Sequence, residues 1–180
     1  MNNETPEHAG FTDRFLASII DSIIIGGLSF AINQLNFTTF KSFGVYLIFA
    51  LIGMAYKPYF ESRYKATLGK MVMKMEVTDL NYNYIDFNKS IMRSLILIVP
   101  AIAYIIIHFF AFNNPYVLDS NGVIDFGTKM GEEYPFLTLI ATVLSYATLV
   151  DVIVYLVDLN KQQRSLKDFI AKTYVIKKEK

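Results

Sequence analysis

Four long runs of apolar residues, separated by polar connections, form the dominant pattern along the chain. They cover approximately residues 15–31, 43–60, 91–112 and 136–158. Each run has about the length, roughly 20 residues, that an α-helix needs to cross the hydrocarbon core of a bilayer. The pattern therefore predicts an all-α integral membrane protein, built as a single domain with four transmembrane helices.

The polar segments that follow the second and fourth runs carry strand-like sequence. In the segment 61–88, Met73–Thr78 is typical of a strand, and Thr173–Ile176 is its counterpart in the tail, 159–180. Between the last helix and this second strand, Ser165–Asp168 has the spacing of a helix capping box. Pairing of the two strands would cover their exposed edges, so the sequence predicts a small β element beside the membrane.

The connection between the third and fourth runs, residues 114–135, has a different pattern. Apolar and polar residues alternate on both sides of Asp119–Gly122, a stretch of turn-forming residues. Alternation around such a turn is typical of a β-hairpin. The sequence therefore predicts a hairpin loop between these two helices.

Composition agrees with a membrane location. The chain has 180 residues, 53% of them hydrophobic, and its mean hydropathy is +0.35. A soluble domain of this size is rarely so apolar, particularly with its apolar residues collected in runs. The absence of cysteine excludes disulfides and thiolate metal sites. The two histidines, His8 and His108, fall on opposite sides of the predicted membrane, so no metal site is predicted.

The distribution of basic residues predicts the orientation. Of 17 Lys and Arg residues, only Lys41 and Lys129 lie in the first and third connections. By the positive-inside rule, both termini and the segment 61–88 are expected in the cytoplasm, and 114–135 is expected on the outer side. Topology and anionic lipid then explain the basic surface, which gives no reason to expect a nucleic-acid partner.

Two carboxylates interrupt the apolar runs. A charged side chain near the middle of a transmembrane helix costs about 2.5–3.5 kcal/mol on the insertion scale, so Asp21 in the first run requires a reason. Asp151 lies about as deep in the fourth run, roughly 10 Å from its cytoplasmic end at 1.5 Å per residue. Two carboxylates at one level suggest alternating occupancy by a proton and a monovalent cation.

Hydroxyl groups accompany these carboxylates. In the fourth run, polar residues at three- and four-residue steps form one stripe: Thr138, Thr142, Ser145, Thr148, Asp151, Tyr155 and Asp158. In a membrane such a stripe faces protein or water rather than lipid. Its hydroxyls at Ser145 and Thr148, together with Ser18 in the first run, are the predicted ligands of a cation.

Two arginines offer a structural alternative. Arg14 and Arg93 enter the membrane from the same side as the two carboxylates. On this interpretation Asp21 is the counter-ion of Arg93 or Arg14, and Asp168 ties the tail to Arg14. Asp158 completes the predicted charge-pair network. The sequence leaves both interpretations of Asp21 open.

Several blocks of the chain match a known family pattern: Gly10–Phe11, Arg14–Ala17, Ile20–Asp21, Thr67–Lys70, Arg93, Ser165–Asp168 and Thr173–Ile176. They resemble the RDD family of bacterial membrane proteins, named for one arginine and two aspartates. By this resemblance Arg14 and Asp21 match the arginine and the first aspartate, and Asp168 matches the aspartate of the tail. Lys167 stands where the family usually has histidine, so a proton role for that histidine does not transfer. The resemblance implies a bacterial inner-membrane protein and transport of an unidentified ligand, with sodium/proton antiport suggested for some members.

These observations favour a transporter of a small ligand or a monovalent cation, with Na⁺ or H⁺ as the transported species. Four helices enclose little room, so a homodimer is predicted, with the small-residue ladder of Ser18, Ser22 and Gly26 as one candidate contact. The alternative is a non-transporting membrane scaffold that binds an unknown protein partner. An enzyme is not expected, because no nucleophile–base pair, phosphate loop or cofactor motif is present.

Overall fold

The computed structural model describes residues 6–158 and 163–178. Positions 159–162 and 179–180 of the predicted tail therefore lie outside the described residues. In chain order the elements are α1 Phe11–Phe40, α2 Phe43–Tyr64, α3 Leu68–Val72, β1 Met75–Asp79, α4 Phe87–Ala111, α5 Pro115–Leu118, α6 Val123–Glu133, α7 Pro135–Val157, α8 Leu166–Ala171 and β2 Thr173–Lys177. The helices α1, α2, α4 and α7 are long and apolar enough to cross a membrane, as predicted.

The helix α1 is longer than the first apolar run, because it continues to Phe40. Two π-helical turns, at Ser22–Gly26 and at Asn36–Phe40, widen it. At its end the fully buried Asn36 donates from Nδ2 to the Ser42 carbonyl oxygen at 3.0 Å and accepts from the Ser42 N–H at 3.1 Å. This pair of hydrogen bonds joins α1 to α2 within a very short connection.

The two later long helices carry proline at informative places. Asp86 accepts from the Lys89 N–H at 2.9 Å and so caps α4, which begins four residues before the predicted run and continues through Pro100. The helix α7 begins with Pro135 at its first position, where the missing N–H costs nothing. A single turn at Tyr146 interrupts α7.

The predicted hairpin at 114–135 is wrong, because this segment folds as the helices α5 and α6. Asn114 caps α5 by accepting from the Tyr116 N–H at 2.9 Å. Gly122, with a φ of 115°, makes the turn before α6. Phe126 and Met130, four residues apart, are buried on one face of α6. The buried residues of this segment are therefore spaced as in a helix, and the short alternation around the turn does not produce strands.

The contacts divide the chain into two compact units, which we describe separately. The first contains the described residues up to Ser22, Tyr56–Leu95, and those from Thr148 onward. The second contains Ile23–Ala55 and Ile96–Ala147. Its core includes Phe37 stacked on Phe126 with ring centroids 4.1 Å apart.

The first unit contains the predicted sheet. The strands β1 and β2 pair antiparallel, with Val77 opposite Val175. Both outer edges are covered, since Ala9 N–H donates to Val175 O at 2.9 Å and Val77 N–H donates to Lys65 O at 2.7 Å. We call the sheet with its flanking residues, 6–9, 65–86 and 163–178, the polar cap.

The four long helices expose many apolar side chains. Ile23 is 68% exposed, Leu139 59% and Leu156 62%. Large apolar side chains exposed in such number along helices of this length are suited to contact with lipid rather than water.

Candidate functional site

The buried carboxylate of Asp168 is the centre of a charge cluster in the first unit. Its Oδ2 accepts from Arg14 Nη1 at 2.5 Å, and its Oδ1 accepts from Arg93 Nη1 at 2.5 Å. Oδ2 also accepts from the Ser165 N–H at 3.1 Å, as the predicted capping box requires. Burial by itself would raise the pKa of Asp168, but the two guanidinium groups outweigh it and hold that pKa well below its usual value.

Arg93 joins this carboxylate to a second one. Its Nε donates to Glu61 Oε2 at 2.8 Å, and its Nη1 also donates to the hydroxyl of Thr173 in β2. The other oxygen of Glu61 pairs with Lys70 in α3. Arg93 is 2% exposed and Glu61 3%. We call Arg14, Glu61, Lys70, Arg93 and Asp168 the buried charge cluster; a charge removed from it would leave its partner unpaired in a medium of low dielectric.

Arg14, near the start of α1, binds two segments of the polar cap, residues 6–9 and 163–178. Its Nε donates to the Ala9 carbonyl oxygen at 3.1 Å, and its Nη2 donates to the Gln163 carbonyl oxygen at 2.7 Å. The guanidinium carbon also lies 5.0 Å from the ring centroid of Tyr155 in α7, a cation–π distance. The predicted tie between Asp168 and Arg14 is therefore one part of a larger anchor.

Asp21 is buried, but its partners are neutral. Its Oδ1 accepts from the Tyr56 hydroxyl at 2.7 Å and from the Gly69 N–H at 2.8 Å. Tyr56 in turn accepts from the Leu68 N–H at 2.9 Å. Among the described residues Asp21 forms no ion pair with Arg93 or Arg14, which pair instead with Glu61 and Asp168, so the predicted alternative of Asp21 as their counter-ion is not formed.

The close approach of α3 to α1 holds Asp21 in this position. A Cβ added at Gly69 would lie 2.0 Å from the Ala17 carbonyl oxygen and 3.1 Å from Asp21 Cγ. Only glycine lets the backbone N–H reach the carboxylate. The block Thr67–Lys70 therefore packs against α1 and donates a backbone hydrogen bond from Gly69 to Asp21.

Asp151 is paired with the tail. Its Oδ1 accepts from the Lys167 N–H at 2.9 Å, and its Oδ2 pairs with Lys167 Nζ. Asp151 is 6% exposed. The expectation that Asp151 shares a cation site with Asp21 stays a prediction.

The other predicted residues lie on α1, on α7 and directly after α7. Ser18 is exposed and donates to the Phe15 carbonyl oxygen at 2.8 Å. Ser145 donates to the Thr142 carbonyl oxygen at 2.7 Å, and Thr148 follows the turn at Tyr146. Asp158 accepts from the Arg164 N–H at 3.1 Å. Within residues 6–158 and 163–178 no group of three or more His, Cys, Asp or Glu is placed to hold a metal ion.

Sequence reasoning missed four residues that complete these sites: Tyr56, Glu61, Gly69 and Lys70. The last two belong to the block that carries the family resemblance, which was the available signal. Tyr56 and Glu61 lie near the end of an apolar helix, where a tyrosine and a charged residue are expected at the membrane interface in any case. Nothing in their sequence context distinguishes them.

Comparison with known proteins identifies a family. A family model described as "RDD family" matches residues 8–172, a range that contains the whole buried charge cluster as well as Asp21 and Asp151. No curated protein and no solved structure matches the chain.

Proposed function

Since the chain belongs to the RDD family and has four helices able to cross a membrane, we propose that it exchanges a monovalent cation, such as Na⁺, for protons across the bacterial inner membrane. Asp21 is the exchanging carboxylate in this proposal, and both termini lie in the cytoplasm. The proposal needs neither a bound cofactor nor an enzymatic reaction.

The observation that carries the proposal is the unequal use of the two Asp21 oxygens. Oδ1 accepts two hydrogen bonds, from Tyr56 and Gly69. Among the described residues, no hydrogen bond ends on Oδ2. A carboxylate fixed through one oxygen keeps a defined direction at the other, where a proton or a small cation can compensate its charge.

The buried charge cluster has a supporting role in this proposal. Its basic side chains are paired with its carboxylates. In this proposal the cluster holds the helix ends near Asp21 in place and does not itself bind the transported ion. Asp151 could join the exchange only after Lys167 leaves it. The side chain of Lys167 is 30% exposed while that of Asp151 is 9% exposed, so the lysine is the member of this pair that water reaches.

A second copy of the chain would provide the enclosure that four helices lack. Ser18, Ser22 and Gly26 are all exposed on α1, and a Cβ added at Gly26 would meet nothing within 4 Å. Small residues on an open helix face allow two helices to pack closely in a membrane. The proposed homodimer uses this face.

The test is ion flux into proteoliposomes that contain a pH-sensitive dye. A sodium gradient should drive proton movement with the native chain, and Asp21→Asn should abolish it. Asp125→Asn is the matched control, because Asp125 lies in α6 with its side chain 41% exposed. Size-exclusion profiles would show that each variant is folded. Native-like flux from the folded Asp21→Asn protein would refute the proposal.

A second function, that of a membrane scaffold, is favoured by the pairing of the buried charges. Each member of the buried charge cluster has an ionic partner. Arg14 also binds the polar cap through the Ala9 and Gln163 carbonyl oxygens. On this alternative the charges serve folding only. Absence of flux, together with a protein that co-purifies through the cap, would support the scaffold.

A further inference from the structure

Residues 6–9, which we call the N-terminal segment, lie along the outer edge of β2. The Ala9 N–H donates to the Val175 carbonyl oxygen at 2.9 Å. In the opposite direction, the Lys177 N–H donates to the Glu7 carbonyl oxygen, also at 2.9 Å. These backbone hydrogen bonds attach the segment to the sheet of the polar cap.

His8 lies in the middle of this segment, opposite Ile176 of β2. Its ring contacts the ring of Tyr174, with centroids 4.7 Å apart and planes at 63°. The Nδ1 atom of His8 is buried and has no hydrogen-bond partner among the described residues. A neutral ring can leave only a lone pair at this atom, whereas a protonated ring would bury a charged N–H without an acceptor, which is costly.

The charged groups around His8 offer a protonated ring no free carboxylate. The titratable side chains that face His8 or its direct contacts are Glu7, Asp13, Arg14, Tyr82, Tyr155, Asp158, Arg164, Asp168, Tyr174 and Lys177. Each carboxylate of this set is already bonded, two to Lys177, one to the Arg164 N–H and one to Arg14. A proton added to His8 would therefore bring a charge that its surroundings do not balance.

Arg14 increases this cost, because it is a second positive charge beside the segment. Its Nε donates to the carbonyl oxygen of Ala9, the residue after His8, at 3.1 Å. Burial lowers the pKa of His8 below the ordinary value of 6.5, and the charge of Arg14 lowers it further. A proton thus binds the released segment more readily than the attached one. Attachment to β2 is favoured above about pH 6.5 and is lost progressively as the pH falls below it.

We propose that the N-terminal segment is a proton-sensitive strand, which leaves the edge of β2 when His8 takes up a proton. Release also withdraws the Ala9 carbonyl oxygen from Arg14 and from the Tyr155 hydroxyl, which donates to it at 3.3 Å. Arg14 keeps its ion pair with Asp168, so the change is a local opening of the polar cap rather than unfolding. With the predicted orientation the segment responds to cytoplasmic pH. The inference does not depend on the transport proposal.

The experiment follows backbone hydrogen exchange of the purified full chain in detergent micelles at about pH 7.5 and about pH 5.5, on either side of the ordinary imidazole pKa. Rates are resolved to single amides and corrected for the intrinsic effect of pH. In the native chain the Ala9 and Lys177 amides should lose protection at the lower pH, by up to about ten-fold for each pH unit. The Val77 amide, which donates to Lys65 at the other edge of the sheet, should stay protected. His8→Gln, which is neutral at both pH values, should keep Ala9 and Lys177 protected.

Glu7→Gln is the matched control, because Glu7 is the other titratable side chain of the N-terminal segment and is exposed. It should respond to pH as the native chain does. Equal protection of the native chain at the two pH values would overturn the proposal, as would a response that persists in His8→Gln or disappears in Glu7→Gln. Simultaneous loss of protection at Val77 would indicate general unfolding of the cap and would also overturn it. Should His8→Gln fail to fold, His8→Asn takes its place with the same expectation.

Discussion

The contact between α3 and α1 predicts that replacing Gly69 by alanine is strongly destabilising, whereas the same replacement at Gly53, which is also in a helix, is not. At Gly69 the new Cβ would lie 2.0 Å from the Ala17 carbonyl oxygen. Ordinary carbon–oxygen contacts are roughly 3.3 Å or longer. The short helix α3 would therefore have to move by more than about 1 Å.

That movement has a cost that can be estimated from two terms. It breaks the hydrogen bond of 2.8 Å from the Gly69 N–H to the Asp21 carboxylate, which contributes about 1.5–3 kcal/mol as a bond to a charged group. Overpacking against the α1 backbone adds about 1–3 kcal/mol. After a gain of up to about 1 kcal/mol for alanine in a helix, the expected loss in free energy of unfolding is about 1.5–6 kcal/mol.

The control is Gly53→Ala in α2. A Cβ at Gly53 meets nothing within 4 Å, and its helical backbone suits alanine, so this variant should be neutral or more stable by up to about 1 kcal/mol. Reversible unfolding in mixed detergent micelles measures both variants against the native chain. The reasoning would be refuted by equal stability of the two variants, because the close approach of Gly69 to α1 would then be of no consequence.

Two further predictions concern buried polar groups. Asp168→Asn should cost about 3–5 kcal/mol in the same unfolding assay, since it leaves Arg14 and Arg93 without their shared carboxylate, and a result below about 1 kcal/mol would contradict the structure. Because the pKa of Asp168 is lowered by its arginines, its contribution is present above the unfolded pKa of about 3.9 and is lost as the pH falls further; this acid sensitivity should be smaller in Asp168→Asn. Tyr56→Phe should cost about 1–3 kcal/mol, because its hydroxyl both donates to Asp21 and accepts from Leu68. Tyr59→Phe, at a tyrosine 50% exposed, should stay within about 0.5 kcal/mol of the native chain, and equal losses for both would contradict the assigned role.

The sequence pattern predicts the long helices and the strand pair because these depend on local composition. An apolar run long enough to cross a bilayer folds as a helix, because a helix satisfies its backbone hydrogen bonds internally. The strands β1 and β2 lie far apart in the chain, yet each has its own strand-like sequence. The predicted segments Met73–Thr78 and Thr173–Ile176 agree with the observed strands to within two residues at the ends, and the two strands pair as predicted.

The errors come from features that local sequence does not encode. The alternation around Asp119–Gly122 extends over too few residues to separate a strand from one face of a helix, and the burial of Phe126 and Met130 decides for α6. The partners of Asp21 are 35 and 48 residues away, at Tyr56 and Gly69. Their approach depends on how helices pack, which a hydrophobic pattern does not specify.

The position of Asp168 along the chain has a consequence for biosynthesis. Asp168 is translated 154 residues after Arg14 and 75 residues after Arg93. Before Asp168 is synthesised, Arg93 can already pair with Glu61, whereas the carboxylate that pairs with Arg14 is still missing. Synthesis of the tail therefore completes the buried charge cluster, and chains that stop short of Asp168 should be less stable.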